Sequence, residues 1–194
     1  MKFRVAAGVI AFASLLLIGR ATAHAGTSSD PPAQPRHIVA RAVATDQAAR
    51  GVQVEYRSFS SFAEAISFVT GVDVRIAPGA DIQSQTSAIQ DAVKSRLLTN
   101  TLVGIDYDAA SFNSGQGTLT WYVDDPNGCS AGGVFVASSM PAGWDDRVSS
   151  AQSFGGCSTW NHYQLTGMTG PYLPCTCSTM GVMDNQTSSE RWAP

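Results

Sequence analysis

The hexapeptide DDRVSS, residues 145–150, is matched in pattern by DNQTSS, residues 184–189. Both stretches read Asp/Asn, Asp/Asn, any residue, any residue, Ser/Thr, Ser. Every fixed position carries a small oxygen donor, and a hard cation such as Ca²⁺ takes about six to eight oxygen ligands. One copy of so permissive a pattern arises by chance in about a few chains in a hundred. Two copies in one chain are much harder to attribute to chance, and they predict a pair of metal-binding loops.

Residues 1–25 have the features of a secretory signal peptide. Lys2 and Arg4 precede an apolar run from Val5 to Gly19, and small residues follow. The run is shorter than the roughly twenty residues that span a bilayer, and no comparable run occurs later in the sequence. We therefore expect a soluble mature protein that is secreted to the periplasm or the extracellular medium.

The charge of the chain is concentrated in its C-terminal half. Removal of the leader takes away three cations and no acid, so the formal net charge moves from −3 to −6. Residues 26–101 hold seven Arg/Lys and seven Asp/Glu, whereas residues 102–194 hold two Arg and eight acids. This balance argues against nucleic acid or an anionic membrane as partner, because both require clustered Lys and Arg. It suits cation binding.

The four cysteines all lie in the C-terminal half. An even number in an exported chain indicates two disulfide bonds, for which three pairings exist. A Cys175–Cys177 bond is disfavoured, since two residues separated by one other in an extended strand have Cα atoms near the upper limit for a disulfide. We therefore expect each of these two cysteines to pair with Cys129 or Cys157.

The chain before residue 102 divides into a linker and a small folded segment. Residues 26–36 are rich in Pro, Ser and Gly and predict a disordered linker. Residues 37–101 have a mixed pattern, in which Gly51–Tyr56 alternates like a strand. This α+β segment has three possible roles: a pro-segment, a packing partner for the following domain, or a separate adaptor.

Two helices are predicted in that segment. Ser61 and Glu64 form a capping box, and the apolar stripe behind it ends at Gly71. A second stripe at helical spacing ends near Asn100. The stripe residues are Phe62, Ile66 and Val69 in the first helix and Ile89, Val93 and Leu97 in the second.

Residues 102–194 predict an all-β domain. They are rich in Gly, Ser, Thr and aromatic residues, and turn signals separate short extended runs. Such spacing favours a sandwich built of Greek keys. The predicted strands are Leu102–Tyr107, Gly117–Val123, Gly133–Ser138, Ser158–Tyr163 and Tyr172–Cys177.

Each repeated loop follows a hairpin with the same features. Tyr107 is followed by Phe112 and Gly115, and Tyr163 is followed by Met168 and a nearby glycine. Two large side chains that pack across a bent hairpin, with a glycine at a φ that other residues avoid, resemble the folded hairpin of βγ-crystallin Greek keys. Residues 102–194 thus resemble a microbial, calcium-binding two-Greek-key βγ-crystallin domain. The implied fold is mainly β, a sandwich preceded by the small α+β segment.

The resemblance implies two Ca²⁺ sites. In that family the loops cross over, so that residues of both keys hold each ion. With at most one carboxylate in each site, the expected Kd is about 10⁻⁵ to 10⁻³ M. The implied ligands are the hydroxyls of Ser149 and Ser188, the side-chain oxygens of Asp146 and Asn185, and the backbone carbonyls of Asp108, Gln164, Arg147 and Gln186.

The resemblance leaves more than one function open. The first is a secreted, non-enzymatic calcium-binding protein that the ion stabilises. The alternative is an interaction protein, because the same fold carries secreted protease inhibitors and antimicrobial toxins. The loops could also be ordinary Asp and Ser turns that bind no metal.

Catalysis is not indicated by the sequence. No nucleophile elbow, metalloprotease helix or phosphate-binding glycine loop is present. His37 and His162 are the only histidines beyond the leader, and we expect His162 to pack beside Tyr163 at a strand edge. Core positions are expected for Trp121, Trp144, Trp160 and Trp192.

Overall fold

The computed structural model describes residues 36–77, 80–96 and 99–194. The predicted leader and the predicted linker up to residue 35 lie outside the described residues. The α-helices are α1 (Thr45–Ala49), α2 (Phe62–Thr70) and α3 (Ile82–Lys94). The strands are β1 (Arg36–Arg41), β2 (Val43–Ala44), β3 (Glu55–Phe59), β4 (Thr101–Tyr107), β5 (Gly117–Val123), β6 (Phe135–Ala137), β7 (Ser150–Ser153), β8 (Thr159–Leu165), β9 (Thr169–Pro174) and β10 (Ser189–Ala193).

The strands form two five-stranded sheets. The order is β3-β1-β5-β4-β7 in the first sheet and β2-β6-β10-β8-β9 in the second. All pairings of these strands are antiparallel except β1 with β5. The fold is therefore mainly β, with two antiparallel-rich sheets consistent with the predicted sandwich. Among the described residues, no helix has the length and apolar character that a membrane span requires.

The segment before residue 101 contributes strands to both sheets. Ile38 of β1 pairs with Leu119 of β5, and Val43 of β2 pairs with Val136 of β6. The backbone of this segment is thus hydrogen-bonded to the β half of the chain. Of the three roles left open by the sequence, this favours the packing partner.

Apolar side chains fill two layers. The first lies between the sheets and contains the four tryptophans, each at most 1% exposed. The second lies between the first sheet and helices α2 and α3, and it contains Ile66, Ile89 and Ile105. The core role predicted for the tryptophans is confirmed.

Helix α2 forms as its sequence predicts. Ser61 is the N-cap, and its side chain accepts a hydrogen bond from the amide of Glu64 over 3.2 Å. Gly71 ends the helix with a φ of 72°, a left-handed conformation that costs glycine little. Helix α3 ends at Lys94, before Leu97, which lies outside the described residues.

The predicted disulfide pairing is wrong. Cys129 bonds to Cys157 with a Cα–Cα distance of 4.9 Å, and Cys175 and Cys177 lie within bonding distance of each other, with Cα atoms 5.3 Å apart. The prediction assumed an extended strand, but β9 ends at Pro174 and the following residues leave the regular ladder. A bent backbone brings the two Cα atoms closer than an extended strand would.

Candidate metal centres

The two repeated loops lie side by side and bond to each other reciprocally. The amide of Asp146 donates to the carbonyl of Thr187 over 3.1 Å, and the amide of Asn185 donates to the carbonyl of Val148 over 3.0 Å. Asp146 and Asn185 occupy the same position of the pattern, and their φ angles are 56° and 54°. Asp and Asn tolerate this left-handed conformation better than most residues. The loops are therefore alike in structure as well as in sequence.

The first loop is tied to the first hairpin. The amide of Ser149 donates to the carbonyl of Tyr107 over 2.9 Å. The hydroxyl of Ser150 donates to the carbonyl of Ala109 over 2.6 Å and accepts from the amide of Phe112 over 3.0 Å. The rings of Tyr107 and Phe112 meet edge to face with centroids 5.8 Å apart. The hydroxyl of Ser150 thus forms hydrogen bonds with two backbone groups at the bend of the hairpin, the carbonyl of Ala109 and the amide of Phe112.

The second loop is tied to the second hairpin by the same bonds. The amide of Ser188 donates to the carbonyl of Tyr163 over 2.8 Å. The hydroxyl of Ser189 donates to the carbonyl of Leu165 over 2.6 Å and accepts from the amide of Met168 over 2.9 Å. In both copies, therefore, the last serine of the loop clamps the preceding hairpin by hydrogen bonds to one backbone carbonyl and one backbone amide. We call this arrangement the structural repeat.

A glycine at a positive φ, as expected, is found in the second hairpin, where Gly170 has a φ of 77°, but not in the first. Phe112 and Met168 both have a φ of 57°, whereas Gly115 is not in the left-handed region. A bulky residue rarely adopts this φ and does so only where its surroundings fix it. Here the clamping serine accepts from the amide of that same residue. Ser111, with a φ of 61°, and Phe112, and not Gly115, form the bend of the first hairpin.

The predicted calcium ligands lie around the paired loops. The hydroxyl of Ser149 is 3.5 Å from the side-chain oxygen of Asn185 on the other loop. Ser149 and Ser188 are 8% and 7% exposed, whereas Asp146 and Asn185 are exposed. The loops therefore combine buried hydroxyls with exposed side-chain oxygens from the opposite copy.

The positively charged side chain of Arg147 lies on the Asp108 side of the loops. The guanidinium of Arg147 forms an ion pair with the carboxylate of Asp108 and donates to the carbonyl of Gly143 over 2.8 Å. It lies over the ring of Trp144, 5.1 Å from the centroid. A Ca²⁺ ion held by the carbonyl of Asp108 would meet this positive charge at close range. The positive charge of Arg147 therefore disfavours calcium on this side of the loops.

The equivalent pair on the other side is neutral. The amide nitrogen of Gln164 donates to the side-chain oxygen of Gln186 over 2.8 Å. The amide of Asp146 bonds to the carbonyl of Thr187, the neighbour of Ser188, so the backbone of the first loop reaches this side. Because this pair is neutral and contains amide oxygens, it opposes a hard cation less than the Arg147–Asp108 pair does.

A second cluster, which the sequence did not reveal, lies between the sheets. Asp106 of β4, His162 of β8 and Glu190 of β10 are all 0% exposed. Their closest ligand-type atoms lie within 4.8 Å of one another. The prediction that His162 packs at a strand edge is wrong, because β8 lies between β10 and β9 in the second sheet. The sequence did contain one signal for this cluster: an acidic residue within each of two strands, Asp106 in β4 and Glu190 in β10.

Some polar atoms of this cluster have hydrogen-bond partners, and two carboxylate oxygens have none. Nε2 of His162 lies 3.2 Å from the carbonyl oxygen of Cys175, and Nδ1 lies 2.9 Å from Oε1 of Glu190 and 4.0 Å from Oδ1 of Asp106. The indole nitrogen of Trp121 donates to Oδ2 of Asp106 over 2.8 Å. Oδ1 of Asp106 and Oε2 of Glu190 are buried without a hydrogen-bond partner.

Burial changes the ionisation of these groups. It raises the pKa of Glu190 to about 8, and it raises the pKa of Asp106 well above its usual value, an effect to which the charge of Glu190 adds. Burial lowers the pKa of His162, although the charge of Asp106 opposes this shift. Each group is thus unstable as an isolated ion and requires a proton or a counter-ion beside it.

A cleft of about 760 Å³ opens between the starts of α2 and α3 and the first hairpin. Its wall includes His37, Phe62 and Ile82. His37 is 6% exposed, and its Nδ1 lies 3.0 Å from the hydroxyl of Thr118. Burial lowers the pKa of His37, while the charge of Glu64 opposes the shift. The cleft therefore has a mainly apolar wall with a neutral imidazole.

No protein-family model matches this chain, and neither the curated proteins nor the solved structures that were compared with it contain a match.

Proposed function

We propose that this protein is a secreted, non-enzymatic calcium-binding protein of the βγ-crystallin type. The observation that carries the proposal is the structural repeat, in which two matching hairpins are each clamped by the last serine of one loop and the two loops bond to each other. A repeat of this kind places two sets of equivalent oxygen donors next to one another. Calcium would hold the paired loops together.

The strand order supports two Greek keys. In the first key, β4 and β5 form a hairpin, β7 returns beside β4, and β6 crosses to the second sheet. In the second key, β8 and β9 form a hairpin and β10 returns beside β8. Cys177 bridges to Ala151 of β7 and so crosses to the first sheet, as β6 crosses to the second. The third strand of each key thus lies beside the sheet of the other key.

The two calcium sites are unequal in this proposal. The side with Asp146, Ser188 and the neutral Gln164–Gln186 pair binds the ion first. The side with Asp108 and Ser149 binds it weakly, because the guanidinium of Arg147 occupies that region. Stabilisation by a ligand that binds only the folded state follows RT ln(1+[Ca²⁺]/Kd), so about 1 mM calcium over a Kd of about 10⁻⁵ M adds roughly 2.7 kcal/mol.

Calorimetry on the purified exported protein tests the proposal. We expect a calcium heat with one dominant site and a Tm that EDTA lowers. Ser188→Arg should abolish the dominant site, whereas Ser158→Arg, at an exposed position outside the loops, should leave it intact. The absence of any calcium heat together with a Tm indifferent to EDTA would refute calcium binding. Inhibition of a protease or killing of cells that persists in the Ser149→Arg, Ser188→Arg double variant would favour the interaction-protein alternative.

A further inference from the structure

We infer that Asp106, His162 and Glu190 form a closed site for a divalent transition-metal ion, with Zn²⁺ as the probe, between the two sheets. The three residues come from three strands and both sheets. This site differs from the calcium loops in its ligand chemistry and in the complete burial of all three members. It holds an imidazole, which suits zinc and other transition metals, whereas calcium prefers oxygen alone.

The orientation of the imidazole is the first support for this site. The carbonyl oxygen of Cys175 can only accept, so Nε2 of His162 carries a proton and donates to it over 3.2 Å. In the neutral ring, Nδ1 then presents its lone pair towards Oε1 of Glu190 at 2.9 Å. A proton on Glu190 satisfies both atoms at this distance, and a metal ion that displaces this proton would be held by the same two atoms. Metal-binding histidines are held in this way, with the other ring nitrogen donating to a backbone carbonyl.

The two carboxylates supply the second support. One oxygen of Asp106 is fixed by the indole nitrogen of Trp121 at 2.8 Å, and the other has no partner although it is buried. Oε2 of Glu190 is also buried without a partner. Buried carboxylate oxygens without a donor are costly, and a bound cation removes that cost. Both residues therefore present free oxygens in the region of Nδ1 of His162.

The size of the cluster suits a small ion. Tetrahedral zinc with ligands at about 2.0 Å separates its ligand atoms by roughly 3.3 Å. Nδ1 of His162 is 2.9 Å from the nearest oxygen of Glu190 and 4.0 Å from that of Asp106. Side-chain shifts of less than about an ångström would reach that geometry. Because His162 is bound by acids from both sheets, the ion would link the sheets.

The complete burial of the cluster determines when a metal ion can enter it. All three residues are 0% exposed, so the ion has to enter while the chain folds. A structural zinc site of this kind adds its binding energy to folding. The test therefore compares protein refolded from denaturant with zinc against protein refolded with EDTA, with the disulfides kept oxidised. Bound metal is then measured by elemental analysis after dialysis against EDTA.

We expect about one zinc ion per chain after refolding with zinc, and a Tm more than about 4 °C above that of the EDTA-refolded protein. His162→Gln should lose the ion, and Asp106→Asn should retain less of it. The matched control is His37→Gln, because His37 is also buried but lies 3.0 Å from Thr118 and away from the cluster. It should bind zinc like the wild type. Removal of an exposed, predicted calcium ligand by Asp146→Gly should not change the zinc content.

Refolding with Co²⁺ keeps the inference testable if His162→Gln does not fold. The wild type should then show visible d–d absorption bands typical of tetrahedral nitrogen and oxygen ligation. Wild-type protein that refolds to the same Tm with zinc and with EDTA, and that holds no metal after dialysis, would overturn the inference. Equal loss of zinc in His37→Gln and His162→Gln would overturn it as well.

Discussion

The backbone amide of Asp146 donates a hydrogen bond to the carbonyl of Thr187 over 3.1 Å, and this bond joins the two repeated loops. The two residues belong to different copies of the same hexapeptide pattern. The bond therefore places the backbone of Asp146 beside the residue that precedes Ser188 in the other copy. Any ligand at this junction is shared between the copies, so its binding depends on both loops at once.

Removal of the guanidinium should strengthen calcium binding. In Arg147→Ala we expect the Asp108 side of the loops to bind Ca²⁺ about fivefold or more tightly, since a positive charge about 4 Å away costs at least about 1 kcal/mol even in water. Titration calorimetry would show a second site that the wild type fills only weakly. Arg191→Ala, on β10 and outside the loops, serves as the control for net charge. Equal affinities in both variants would contradict the role of Arg147.

The clamping serines should contribute alike to stability. Ser150 and Ser189 are both 0% exposed, and each accepts a hydrogen bond from a backbone amide and donates one to a carbonyl. Each alanine substitution leaves buried polar groups unpaired and should lower the free energy of unfolding by about 1–3 kcal/mol. Denaturant unfolding would measure this. Ser158→Ala, at an exposed position, should change it by less than about 0.5 kcal/mol.

The two disulfides should differ in their effect on stability. Cys129 and Cys157 are 28 residues apart, and in the chain-entropy account such a loop contributes about 3 to 4 kcal/mol. The Cys129→Ala, Cys157→Ala variant should therefore lose about that much. The Cys175→Ala, Cys177→Ala variant should lose far less, because its bond closes a very short loop. Peptide mapping that found Cys129 joined to Cys175 or Cys177 would contradict this pairing.

Stability should depend on pH through His37. Burial lowers its pKa below the ordinary 6.5, so the unfolded chain binds the proton first as the pH falls. The free energy of unfolding therefore decreases below about pH 6.5, by at most about 1.4 kcal/mol per pH unit, until the folded-state pKa is passed. In His37→Gln this contribution is absent. The stability difference between wild type and variant should be largest near pH 8 and smaller at pH 5; a constant difference would contradict the prediction.

Local sequence signals predicted the elements that form from neighbouring residues. Strand β5 has the predicted bounds Gly117–Val123, and α2 follows its capping box because Ser61 and Glu64 satisfy free amides within one turn. The strand predicted at Gly51–Tyr56 lies instead at Glu55–Phe59, since the chain leaves α1 through a turn at Gly51. Hydrophobic alternation fixes the type of an element more firmly than its ends.

The candidate sites also differ in how far the sequence could predict them. The repeated loops were visible in the sequence, because each copy is a continuous hexapeptide. The position of Arg147 on Asp108 was not, since a side chain of that length can reach several partners and only packing selects one. The buried cluster was missed because each of its members looks like an isolated polar residue in its own strand.

By itself, the sequence determined the mainly β character of residues 102–194, the paired oxygen-rich loops, the cap of α2 and the buried tryptophans, because propensity, capping and hydrophobicity act over a few neighbouring residues. Only the tertiary structure decided that β1 pairs in parallel with β5, that Cys129 bonds to Cys157, and that an aspartate, a histidine and a glutamate meet between the sheets. These contacts join residues far apart in the chain. Their free energy comes from burial and strand pairing across the whole domain, for which a local stretch of sequence carries no signal.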